Sequence, residues 1–154
     1  MTYYGSESDK NLFAGIVRGE EKQWRIWEDS HHVAFLTRFP NTPGFTVVVP
    51  RKPLSSDIFS LDEDDYIALI KACHEVGHML KESLDNCRGI AIIFEGFEIN
   101  YAHAKLIPVI QPQTAISTRK LSKYVELYPG FVTSESGPKA TAESLEKLHA
   151  KIVG

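Results

Sequence analysis

Asn100-Tyr101-Ala102-His103-Ala104-Lys105-Leu106-Ile107-Pro108 alternates polar and small apolar residues, then turns wholly apolar. In a β-strand successive side chains point to opposite faces, and alternate ones lie about 6.6 to 7 Å apart. Tyr101, His103 and Lys105 therefore share one face, and Ala102 and Ala104 the other. Small alanines let that second face pack closely on a neighbour. The first face presents a phenol, an imidazole and an ammonium in a row. Set in water, such a row is only the polar side of a half-exposed strand. Set in a cavity, it suits phosphoryl chemistry. A neutral imidazole is a competent nucleophile at physiological pH. An ammonium steadies charge growing on phosphorus oxygens, and a phenol donates a hydrogen bond.

Upstream of this segment the chain reads as alternating helices and strands. Ser8 and Asp9 are expected to cap a helix with Leu12, Phe13, Ile16 and Val17 on one face, stopped by Gly19. Residues 23–28 alternate, placing Trp24, Ile26 and Glu28 on one side and Arg25 and Trp27 on the other. Residues 32–39 form a second strand, closed by Pro40, and Asn41-Thr42-Pro43-Gly44 supplies a turn. Residues 45–49 are unbroken β-branched and aromatic sequence, which predicts a central strand buried on both faces. Tyr66, Leu69, Ile70, Cys73, Val76, Leu80 and Leu84 recur at helical spacing, so residues 62–84 form the longest helix, with acidic residues in its first turn. Residues 90–94 predict another buried strand, and residues 99–110 the strand that carries His103. Downstream, a short strand is expected around residues 124–127, with turns at Pro129-Gly130 and Gly137-Pro138. Thr141 caps a last helix through Leu145, Leu148 and Ile152, on which His149 is expected to face solvent. The fold class is α+β: an antiparallel sheet with a long helix packed on it and a C-terminal helix.

The 154 residues suit one domain, residues 1–154, with a core at about 8–111 and a C-terminal extension at 112–154. A net charge of -3 argues against the broad basic footprint of a nucleic-acid binder, while leaving room for a small anionic ligand at a local positive site. Two cysteines, Cys73 and Cys87, are too few for a disulfide framework and read as free thiols in a reducing compartment. Residues 1–10 hold no apolar stretch like a signal peptide, and no run approaches a membrane span. A cytoplasmic location without membrane partners is the expectation.

His74-Glu75-Val76-Gly77-His78 matches the zinc-protease pattern His-Glu-x-x-His, in which one helical face offers two imidazoles and a general base. The competing reading is a pair of half-buried histidines beside an apolar stripe. That reading is preferred, because a catalytic zinc needs a third protein ligand and none is obvious downstream. A zinc hydrolase using His74, Glu75 and His78 stays as the remote alternative. His31 and His32 read as a surface turn leading into a strand.

The His103 segment resembles the signature of the histidine triad (HIT) family, in which three alternating histidines precede two apolar residues. Supporting features are Phe13 and Ile16, Ala34-Phe35-Leu36-Thr37 before Pro40, Pro43-Gly44, Val47-Val48-Val49-Pro50-Arg51-Lys52 and Phe94-Glu95-Gly96. The resemblance spans about residues 12–108. It implies a HIT-like fold and a two-fold homodimer, with the long helix and the strand from Gly89 at the interface. It also implies attack of His103 on the α-phosphorus of a nucleotide, through a covalent nucleotidyl-histidine. Substrates would be nucleotidyl phosphoramidates or dinucleoside polyphosphates. By the same resemblance, Lys105 clamps the phosphate and Tyr101 is a supporting donor. Phe13, Ile16, Phe35 and Leu36 enclose the base, with Thr37 near the ribose. No metal or other cofactor is implied. The sequence departs from the family pattern at Tyr101 and Lys105, which replace the outer histidines. Thr37 stands in an acidic position, Phe45 in that of another histidine, and Phe94 in that of a polar residue. A Tyr-x-His-x-Lys motif is similar to a bacterial branch with His-x-His-x-Lys. These departures leave a second reading open, a decayed module that binds nucleotides or partners without turnover.

Overall fold

The computed structural model describes residues 11–96, 98–111, 124, 126–127, 133 and 135–154. Asn11 starts the first helix: its side-chain oxygen accepts from the Phe13 N–H at 3.0 Å, satisfying one of the donors a helix start leaves open. That helix, α1 (Leu12–Arg18), ends at Gly19, whose φ of +78° returns its N–H to the Gly15 and Ile16 carbonyls. The cap expected at Ser8 and Asp9 lies outside the described residues.

Five strands form one antiparallel sheet. They are β1 (Trp24–Glu28), β2 (His32–Leu36), β3 (Thr46–Pro50), β4 (Cys87–Ile93) and β5 (Ala104–Ile110), in the order β1-β2-β3-β5-β4. β3 stands in the middle with every residue buried, as its unbroken apolar sequence predicts. Strand alternation divides the core in two. Ala34, Leu36, Val48, Ala104 and Leu106 point to one face. There they meet Leu69, Cys73, Val76 and Leu80 of α2 (Glu63–Ser83) and Leu145 and Ile152 of α3 (Ala142–Val153). Val33, Phe35, Val47, Tyr101 and Ile107 point to the other face, beneath Phe13, Ala14 and Ile16 of α1. Each large aliphatic side chain so removed from water contributes about 1.5–3 kcal/mol. A single 3-10 turn, Ile58–Ser60, leads into α2.

Several elements differ from expectation. A bulge between Arg25 and Trp27 resets the β1 register, so Trp24 pairs with Leu36 and Trp27 with Ala34. Both tryptophans therefore pack on the α2 side instead of opposite faces. β2 stops at Leu36, because the Thr37 N–H turns to the Phe45 carbonyl at 3.1 Å and the Phe39 N–H to the Thr37 hydroxyl at 3.2 Å. β4 is a sheet edge, only partly buried, with Ile92 44% exposed; it is not the buried strand predicted. β5 begins at Ala104. Its approach is bent: the Tyr101 N–H reaches the Ile99 carbonyl and the Ala102 N–H reaches the Leu54 carbonyl. Tyr124, Glu126 and Leu127 are not in a strand, and the remainder of that predicted segment, with the turn at 129–130, lies outside the described residues. His149 is half-buried, its Nε2 2.6 Å from the Arg25 carbonyl of β1. Among the described residues no helix is long and apolar enough to cross a membrane.

Candidate active site

His103 enters the structure immediately before β5, on the α1 side of the sheet. It is 6% exposed, with its ring set edgewise on Phe13 at 5.0 Å between centroids. Its Nδ1 lies 2.7 Å from the Tyr101 carbonyl. A carbonyl oxygen only accepts, so Nδ1 carries the proton and Nε2 of the neutral ring holds the lone pair. Burial pushes the His103 pKa down; the Tyr101 carbonyl opposes this, and Lys105 adds to it. The imidazole is thereby kept neutral, the form that attacks.

The Tyr101 carbonyl is held by its own side chain. The phenol is 1% exposed, and its hydroxyl donates to the Pro50 carbonyl at 2.7 Å, with the Arg51 carbonyl 3.3 Å away. This corrects the expected role of Tyr101 as a donor to substrate, because its one O–H hydrogen is committed to the end of β3. It anchors the backbone that orients His103. The preceding turn is fixed from the other side. Ser56 donates through its hydroxyl to the Gly96 carbonyl at 3.0 Å and through its N–H to the Asn100 side chain at 3.2 Å. Gly96 has φ +65°, and a Cβ there would meet the Ser56 carbonyl oxygen at 2.6 Å. Only glycine lets the two loops approach so closely.

Lys105 pairs in register with Val47 on β3 and Ile93 on β4. Its ammonium donates to the Glu95 carboxylate, and both side chains are mostly buried. The expected phosphate clamp is thus already engaged by an anion. Glu95 was named in the sequence only as part of a strand end. The signal for it was a carboxylate at the far end of the strand antiparallel to the one bearing Lys105.

A cavity of about 230 Å³ opens beside this pair. Phe13, Ile16, Phe35, Leu36, Thr37 and Lys105 all line it, so the residues expected around base, ribose and phosphate meet in one place. Leu36 lines it only from the strand end, since its side chain belongs to the core under α2. His103 is not among the lining residues, but its ring packs edgewise on Phe13, which is. Arg38, Phe45, Val47, Glu98 and Ile99 also line the cavity; of these the sequence singles out Phe45, as a departure from the family pattern, and Val47, as part of the resemblance, while Arg38, Glu98 and Ile99 carry no such signal. An apolar slot with two cationic side chains, Arg38 and Lys105, and a few other polar groups is the usual form of a small-molecule site.

The histidines of the other motif stand elsewhere. His74 and His78 are exposed on α2, not half-buried, and α2 lies across the sheet from the cavity. Among the described residues no group of three metal-ligating side chains comes together. His31 is exposed, whereas His32, the first residue of β2, is buried.

A buried neutral imidazole, oriented by the carbonyl two residues before it, beside an apolar cavity and a five-stranded antiparallel sheet, defines an α+β protein of the histidine-triad kind. The HIT domain family matches residues 18–110, well over half of the sequence, and the chain belongs to that family. A 16.1 kDa HIT-like protein of Mycoplasma pneumoniae is 29% identical over 101 residues, covering 63% of this chain and 69% of that one. A HIT-like protein of Saccharolobus solfataricus is 29% identical over 102 residues, covering 63% and 72%. Among solved structures, a Hit-like protein involved in cell-cycle regulation from Bartonella henselae superposes with a TM-score of 0.71 at 23% identity, covering 99% of this chain and 98% of that one. A hypothetical histidine triad nucleotide-binding protein from Sulfolobus tokodaii gives 0.70 at 22% identity, covering 90% and 87%. At these identities the two structures speak for the fold.

Proposed function

We propose that this chain binds nucleotides in the cavity between α1 and β2 and transfers or hydrolyses their nucleotidyl groups through His103. The substrates are nucleotidyl phosphoramidates or dinucleoside polyphosphates. The Nε2 lone pair of His103 attacks the α-phosphorus, and the bond from phosphorus to the leaving group breaks. With a phosphoramidate the amine departs with that electron pair and takes up a proton. Water then attacks the same phosphorus, the N–P bond breaks and its electrons return to Nε2, releasing the nucleoside monophosphate. Lys105 balances charge on the phosphoryl oxygens once a phosphate displaces Glu95 from it. No metal enters this scheme. The observation that carries it is the 2.7 Å contact from His103 Nδ1 to the Tyr101 carbonyl, which leaves the nucleophilic nitrogen unprotonated.

The Tyr-x-His-x-Lys motif supports a reading of the chain as a member of a divergent, bacterial-type branch. The chain acts as a homodimer through β4 and α2, a reading supported by Ile92 on the free sheet edge and Ile67 on α2, 44% and 38% exposed. Free thiols at Cys73 and Cys87 suit a reducing cytoplasm.

Intact-protein mass after a rapid, acid-free quench with adenosine phosphoramidate tests the chemistry. Wild type gains the mass of an adenylyl group, and His103→Asn does not. A second reading, a nucleotide-binding module without turnover, is favoured by one observation: both replacements for the outer histidines are occupied, Tyr101 by Pro50 and Lys105 by Glu95. Measurable adenosine monophosphate affinity with neither adduct nor product would establish that reading and sink the first.

A further inference from the structure

We propose that His74 and His78 form a two-ligand chelate for a divalent transition ion, zinc in the first instance, on the outer face of α2. Four residues apart on one helix, the two side chains stand one turn above another on the same face. Their Nε2 atoms converge to 3.3 Å, with the rings inclined at 70° and their centroids 4.6 Å apart. Zinc holds imidazole nitrogens at about 2.0–2.1 Å, and a tetrahedral angle between two such bonds separates the nitrogens by roughly 3.3–3.4 Å. The pair already has that bite.

The carboxylate of Glu75 adds a second feature. Its Oε1 lies 3.6 Å from His74 Nδ1, on the side of the ring away from His78. A carboxylate there favours the tautomer with the proton on Nδ1, which turns the Nε2 lone pair toward the shared point. Without a metal, one Nε2 must carry a hydrogen and donate it to the other; the ion replaces that hydrogen and engages both lone pairs. Nitrogen donors select zinc, copper or nickel over magnesium and calcium. Lys71 and Lys81, three residues before His74 and three after His78, oppose the added charge, and Glu75 and Glu82 offset them.

No third histidine, cysteine or carboxylate joins the pair among the described residues, so in a single chain the two remaining coordination positions are left to water; in the proposed dimer they lie on the α2 face that also carries Ile67. The chelate is therefore not the three-ligand centre of a zinc hydrolase. It also lies on the opposite side of the sheet from the cavity, and the proposal stands whether or not His103 turns over nucleotides.

Zinc alone, titrated calorimetrically into the chelator-stripped full chain, tests the site. Wild type should take up one ion per chain. His74→Asn or His78→Asn should weaken binding at least about tenfold, and the double variant should abolish it. Glu75→Gln should weaken it by a smaller factor, about threefold to tenfold. Zinc should also raise the melting temperature of wild type and leave that of the double variant unmoved. Both histidines are exposed, so unchanged circular dichroism of the metal-free variants separates lost ligands from lost folding. Equal zinc uptake by wild type and double variant, or none by wild type at millimolar zinc, overturns the proposal.

Discussion

His103 and the pair His74/His78 each sit in a recognisable sequence motif, yet the fold gives them opposite surroundings. His103 lies beneath Phe13, with a carbonyl on one nitrogen and an ion pair nearby. His74 and His78 are exposed on a helix, within reach of each other and of Glu75. Burial with one fixed partner selects a tautomer and a neutral ring, which is what a nucleophile needs. Exposure with a converging twin leaves two ring nitrogens 3.3 Å apart, a spacing that a metal can bridge once it displaces the hydrogen between them. The difference comes from the elements: a chain segment entering a two-sided core is buried on both faces, as Ala102, His103 and Ala104 are, while a helix buries one stripe and leaves the rest in solvent.

The sharpest way to break the comparison is to remove each motif in turn. His103→Asn should lower nucleotidyl turnover by about three orders of magnitude or more, as loss of a nucleophile does elsewhere. His74→Asn/His78→Asn in metal-free buffer should leave turnover within about twofold. Steady-state assays on adenosine phosphoramidate decide it. Equal losses in both variants would mean that the two faces of the sheet are coupled.

A smaller effect is expected at the ion pair. Glu95→Gln frees Lys105 for phosphate, so adenosine monophosphate should bind about tenfold more tightly, roughly 1.4 kcal/mol. Removing one member of a largely buried pair also costs stability, about 1–3 kcal/mol here, because some water still reaches both side chains. Calorimetry and urea melts measure the two sides separately. Weaker binding would place Glu95 among the ligand's own contacts instead of in competition with it.

Tyr101→Phe follows in size. It leaves the Pro50 carbonyl without its buried donor, and the cost should be about 1–2 kcal/mol in a urea melt. Because the phenol holds the carbonyl that orients His103, kcat should fall several-fold while KM stays constant. A changed KM with an intact kcat would return Tyr101 to the substrate.

Much of this was legible in the sequence because periodicity reports burial. The stripe from Leu69 to Leu80 located α2, and the unbroken Val47-Val48-Val49 located β3. The alternation around His103 put it and Lys105 on the face away from Ala104, and the register of Lys105 with Val47 agrees. The cavity residues were reached through family resemblance, since no local pattern joins Phe13 to Thr37. The bulge in β1 was not legible: nothing in Trp24-Arg25-Ile26-Trp27 marks where the alternation breaks, and the register is set by β2. Nor was the late start of β5, which depends on the Ala102 N–H finding Leu54 far back in the chain. The Lys105–Glu95 pair was hidden for a related reason, because it follows from how β4 and β5 align.

The smallest expected effect is in the pH dependence of stability, and it probes the burial of His103 directly. Desolvation lowers its pKa from 6.5, and also lowers that of His32, where Asp29 opposes the shift. Between the folded values and about 6.5 the unfolded chain binds more protons than the folded one, so stability rises with pH across that window. Both contributions are fully present above the unfolded value and are lost as pH falls through the folded ones. His103→Asn removes one of the two. The loss of stability below pH 6.5 should therefore become shallower without vanishing, because His32 still gives the same sign. Urea midpoints across that range would show it. An unaltered slope would mean that water reaches the His103 ring in solution, and the contrast with His74 and His78 would then rest on the Tyr101 carbonyl alone.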